Sequence, residues 1–206
     1  MNELPDSLLL THRAYYIPWV DGLNNYSPSV DFAQKLARLT QLPIQVAAPT
    51  LAAVPASLRK ADVITGRAQK GSGRRRVVLI LHPDLKMLQR ALPADDSYVV
   101  GVEHPAFRLA AWGRSVEAID TSTGEAMREE LPDNVRELYN AIAFNGNNGW
   151  FDAPGKRDAL MDLTELQDLG ALDAESLVAF MLPSKTVESI NQLEKLIAKV
   201  RAPGKA

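Results

Sequence analysis

An α/β fold with a helical C-terminal part follows from three features of the sequence. A short apolar run closed by His-Pro occurs twice, as Val77-Val78-Leu79-Ile80-Leu81-His82-Pro83 and as Val99-Val100-Gly101-Val102-Glu103-His104-Pro105, and a stretch of helical spacing follows each copy. Around them, β-prone runs alternate with short helical stretches at about 20-residue spacing, which predicts parallel pairing because a parallel return needs a crossover. From about Glu129 the strand-like runs vanish and helical spacing alone remains. The expected architecture is a Rossmann-like, mostly parallel sheet flanked by helices over residues 1–125, followed by an all-helical subdomain over residues 126–206.

Each element has a local reason. Residues 14–20 are rich in aromatic and β-branched side chains, but Pro18 cannot donate to a ladder, so an edge strand or an irregular segment is expected. Ser27 reads as an N-cap with Pro28 at the first helical position, and Phe32, Ala33, Leu36 and Leu39 share a face. Residues 43–48 are the next strand. Residues 51–60 are expected to be a helix split at Pro55, and residues 62–66 a short strand. Leu85, Leu88, Ala91 and Leu92 give the helix after the first His-Pro its apolar face. Phe107, Leu109, Ala110, Ala111 and Trp112 belong to the helix after the second, ended by Gly113. Residues 116–120 form a further strand.

In the tail, Pro132 opens a helix with Val135, Leu138, Tyr139 and Ile142 on one face. Ala159, Leu160, Leu163 and Leu166 mark a second helix, and Asp173 caps a third. Val187, Ile190, Leu193, Ile197 and Val200 face inward on the last, whose Lys195, Lys199 and Arg201 suit a negative C-terminal end. Asp158, Asp162, Glu165 and Asp168 line one side of the second helix and are expected to be solvated.

Composition narrows the function. Hydrophobic residues at 46% and charged residues at 23% suffice for a packed core. A net charge of −2 argues against binding nucleic acid with the whole surface. Cysteine is absent, which excludes disulfides, zinc–thiolate sites, iron–sulfur clusters and a thiol nucleophile. No secretory leader is recognisable and no apolar run approaches the ~20 residues that span a bilayer, so a soluble, cytoplasmic protein with no membrane partner is expected.

Ligands of open α/β sheets bind beyond the carboxyl ends of the strands. The strand reading places His82, Asp84, Glu103 and His104 at that rim, where imidazoles and carboxylates can bind a ligand or exchange protons. The competing explanation is structural: proline is a favourable first helical residue, and a histidine before it merely closes a strand. The two histidines lack any compact metal-ligand spacing, so no metal site is expected. No cofactor, and no reaction, follows from these residues.

Two further stretches invite comparison. Val99-Val100-Gly101-Val102-Glu103 resembles the second strand of class I methyltransferases, whose terminal acid binds the ribose of S-adenosylmethionine. The resemblance covers about ten residues, and Leu81-His82-Pro83-Asp84-Leu85 has no Gly-x-Gly loop such as that family carries after its first strand. A generic buried strand is the expectation. Gly66 and Gly71 reproduce the glycine spacing of a P-loop, but Ser72 stands at the lysine position and a strand follows in place of a helix. Arg67, Lys70, Arg74, Arg75 and Arg76 remain a basic stretch suited to phosphate or nucleic-acid contact, or to a solvated linker, without the interleaved aromatics that stack bases.

The expected function is binding of a small-molecule or nucleotide-type ligand at the carboxyl edge of the sheet. One alternative is a non-catalytic adaptor or structural protein, with the tail as a partner surface or homo-oligomer contact. The other is nucleic-acid association through the basic stretch.

Overall fold

The computed structural model describes residues 4–23, 26–65, 75–84, 87–88, 96–128 and 130–202. They fall into two compact units, Met1–Arg128 and Glu129–Ala206. The first is α/β and contains α1 (Asp6–Thr11), β1 (Ala14–Ile17), α2 (Tyr26–Thr40), β2 (Ile44–Ala47), two 3-10 turns (Leu51–Ala53 and Ala56–Leu58), β3 (Asp62–Ile64), β4 (Val77–Ile80), β5 (Tyr98–Val102), α3 (Ala110–Ser115) and β6 (Ile119–Asp120). All strand pairs are parallel, in the order β3-β2-β4-β5-β1-β6. The α/β class with a helical C-terminal part is what the chain adopts.

The inner strands are buried at every position of β4 and β5. Their unbroken apolar runs therefore suit a sheet covered on both faces. Alternation divides the side chains: Tyr15, Val46, Leu79 and Val100 enter one core with Phe32, Ala33 and Leu36 of α2, while Gly101 faces the other way against Leu109 and Trp112.

Several boundaries differ from expectation, each for a physical reason. β1 is an inner strand, paired with β5 on one side and β6 on the other. It stops at Ile17, so Pro18 lies beyond the ladder and costs it nothing. Residues 51–58 form two short turns because Pro55 holds Val54 extended (φ −81°, ψ 124°). The helix after the second His-Pro begins only at Ala110, since Phe107 bridges back to His104. Gly113 lies inside that helix, where a Cβ would stand 2.6 Å from the Met127 sulfur; close approach, not termination, requires the glycine. Left-handed Glu117 (φ 49°) shortens the last strand to Ile119–Asp120. The apolar face expected on Leu85, Ala91 and Leu92 lies outside the described residues, whereas Leu88 is buried.

The second unit holds α4 (Asp133–Asn145), α5 (Ala153–Asp168), α6 (Ala174–Met181) and α7 (Val187–Arg201). Asp152, Asp173 and Thr186 cap the last three by accepting from the Gly155, Glu175 and Ser189 backbone N–H groups. Val135, Tyr139, Ile142, Ala159, Leu163 and Leu166 are buried, as the spacing predicts, and Leu196 joins them. Asp162 leaves the solvated acidic face: it is half-buried and accepts from Asn145 Nδ2 at 2.9 Å. Burial raises its pKa against that hydrogen bond.

Lys185 closes α4 from outside the helix. Its Nζ donates to the carbonyls of Ala143 (2.7 Å) and Gly146 (2.9 Å), where the helix end is negative. Lys185→Met is expected to lower stability by about 1.5–3 kcal/mol, the worth of charge-assisted hydrogen bonds, as read from urea unfolding. No helix among the described residues is long and apolar enough to cross a membrane.

Candidate ligand site at the sheet rim

The carboxyl ends of β4, β5 and β1 lie side by side. His82 follows β4, Glu103 and His104 follow β5, Trp19 follows β1, and Tyr26 opens α2. His82 adopts φ 49°, a left-handed turn that side chains other than glycine enter reluctantly.

This geometry gathers four rings. His82 and His104 have centroids 4.7 Å apart. Tyr26 lies 4.7 Å from His82, and Trp19 lies 5.3 Å from His104 and 5.9 Å from Tyr26. The four make a closed circuit of partly exposed rings. Hydrogen bonds orient them: the Tyr26 hydroxyl is 3.0 Å from His82 Nδ1, and His104 Nδ1 accepts from Ala106 N at 3.1 Å. A neutral His104 therefore carries its proton on Nε2.

Burial lowers the His82 pKa, and the neighbouring His104 charge lowers it further. Burial likewise raises the Tyr26 hydroxyl. At neutral pH this leaves an uncharged hydroxyl–imidazole pair, an arrangement able to exchange a proton with a bound group.

The consequence for stability can be measured. The folded pKa of His82 lies below the ordinary 6.5, so the unfolded chain takes up its proton first as pH falls. Stability linked to this group is complete above that value and is lost as pH drops through the window below it. His82→Gln is expected to flatten the decline in urea midpoint between about pH 7 and about pH 5 relative to the unchanged protein.

Glu103 is buried (5% exposed) and acts as a brace. One carboxylate oxygen accepts from Leu109 N at 3.2 Å and the other from Trp19 N at 3.3 Å, with Arg108 at 3.6 Å. It thereby ties the segment after β1 to the segment after β5. The Tyr16 hydroxyl is pushed far above its ordinary pKa, first by burial, then by its hydrogen bond to Glu103 and the charge of that residue.

Of the rim residues expected from sequence, His82 and His104 come together, while Glu103 positions the segments beside them. Asp84 does not join them: its carboxylate accepts from Met87 N at 2.6 Å and caps the turn that follows. Trp19 and Tyr26 were not singled out from the sequence. The available signal was their place, directly after the first strand and at the start of the next helix.

The basic stretch lies elsewhere. Arg67, Lys70 and Arg74 fall outside the described residues. Arg75 Nε donates to the Asp96 carbonyl at 3.2 Å. Arg76 is 7% exposed, 3.9 Å from an Asp62 carboxylate oxygen that also accepts from Gln45. Because residue 76 immediately precedes an inner strand, its side chain completes a polar row at the amino ends of β2, β3 and β4, and it is not a surface cation for phosphate.

Among the described residues no group of three histidine, aspartate or glutamate side chains could hold a metal ion. No protein-family model matches the chain, and no curated protein or solved structure matches it at a significant level.

Proposed function

We propose that the α/β unit binds a small, planar, nucleotide-type ligand at the rim where β4, β5 and β1 end. The observation that supports this reading is the meeting of His82 and His104, delivered by separate strands and enclosed with Trp19 and Tyr26. Ring faces and edges of this kind stack heterocycles. The His104 Nε2 proton and the Tyr26–His82 pair supply directed hydrogen bonding beside them. Nothing in the arrangement requires a reaction, and binding is the proposed activity.

A thermal-shift panel of nucleosides, nucleotides, S-adenosylmethionine and divalent metals tests the proposal, because a ligand of the native state raises the midpoint. At least one nucleoside or nucleotide is expected to raise it. The rise should vanish in Trp19→Leu and in His82→Ala. A panel without any rise, or a rise that both variants retain, rules the reading out.

A further inference from the structure

We infer that the outward face of α5 docks a second copy of this chain, helix against helix and antiparallel. Ala159, Leu163 and Leu166 are fully buried and use one side of α5 for the core of its unit. The opposite side bounds a shallow depression of ≈ 730 Å³ whose lining residues include Lys156, Arg157, Leu160, Met161, Glu165 and Asp168. Met161, near the middle of this face, is 65% exposed, and Leu169 at the helix end is 50% exposed. A methionine open to water in the middle of a helix is an unfavourable surface unless something covers it.

The charges indicate what covers it. On this face the bases precede Met161 and the acids follow it. Asp152 caps the first turn, but Glu165 and Asp168 sit at the negative end of the helix, whose last turn holds no basic residue. α7, by contrast, ends in Lys199 and Arg201, as a helix dipole favours. An antiparallel copy of α5 removes the conflict, because it brings Lys156, Arg157 and its positive N-terminal end to those acids.

The register follows from the spacing. Arg157 and Glu165 each lie four residues from Met161, about 6 Å along the axis. A two-fold axis at Met161 therefore sets Arg157 opposite Glu165 twice and brings Lys156 within reach of Asp168. The same axis sets the small Ala153 opposite Leu169. One helix pair buries less than the about 800 Å² per partner of a standard interface, so the dimer is expected to be weak and salt-sensitive.

The test is sedimentation velocity of the full chain over a concentration series. Reversible dimerisation is expected. Arg157→Glu should weaken it at least about tenfold by opposing carboxylates at two symmetric points. Adding Glu165→Arg to that variant should restore it, and Met161→Glu should leave a monomer. The exposure of Met161 keeps these changes out of the core, and circular dichroism checks that each variant is folded.

Because the chain has no cysteine, Met161→Cys should form a disulfide-linked dimer on mild oxidation, faster than Glu137→Cys on the exposed side of α4. A chain that stays monomeric throughout the series overturns the inference. So does a dimer indifferent to Met161→Glu, a charge reversal that fails to restore association, or equal cross-linking at the two cysteine positions.

Discussion

Trp150→Ala is expected to destabilise the helical unit by about 3–5 kcal/mol, the range for deleting a buried large aromatic side chain. Trp150 is wholly buried, and its Nε1 donates to the Ile142 carbonyl at 3.1 Å near the end of α4. Its ring occupies the space over Gly146 so closely that a Cβ there would lie 2.1 Å from the indole. Lys185 Nζ stands 5.4 Å from the ring centroid while capping the same helix end. Removing the indole therefore opens a cavity, leaves the Ile142 carbonyl without this donor and takes away the platform beside the lysine. Trp150→Phe, which keeps most of the ring but not the N–H, should fall between alanine and the unchanged protein. Urea unfolding followed by circular dichroism measures all three; a loss below about 1 kcal/mol for the alanine variant contradicts this account.

The second large effect is expected at Gly101, with a readout at the rim. Gly101→Val should cost about 1–3 kcal/mol by overpacking. A Cβ at Gly101 would stand 2.8 Å from the Trp112 ring and 3.2 Å from Leu109 Cδ1. Leu109 cannot yield freely, because its N–H holds Glu103, which in turn holds Trp19. The valine variant should therefore lose ligand-induced thermal stabilisation as well as stability. Adding Trp112→Leu should recover part of both, since the two sites share one contact. The indole Nε1 of Trp112 has no partner among the described residues, so its removal forfeits no hydrogen bond. Additive losses in the double variant would show that the contact is not the cause. The glycine that gives residues 99–103 their likeness to a methyltransferase strand thus has a packing role: it admits Trp112.

The site was legible in part. The rule that ligands sit beyond strand carboxyl ends located His82 and His104, and proline explained why each strand stops there. The same rule did not separate the other two acids. Asp84 and Glu103 are equally near the strand ends, yet one caps a local turn and the other braces two segments. That difference depends on which backbone N–H lies within reach, and sequence spacing carries no such information. Arg76 shows the converse error: a run of bases reads as one solvated stretch, but the residue touching an inner strand turns inward.

Local physics let the sequence alone determine the repeated strand–His-Pro unit, the parallel class and the capped helices of the tail. Apolar periodicity, proline and N-cap side chains act over a few residues, so a short window contains all they need. Only tertiary structure decided that β1 lies between β5 and β6. That placement turned an expected edge strand into an inner one and carried Trp19 and Tyr26 to the histidines. The contacts involved join residues 84 and 56 positions apart, Trp19 to Glu103 and Tyr26 to His82. Neighbours so distant are chosen by how crossovers pack on the whole sheet, which no local pattern records.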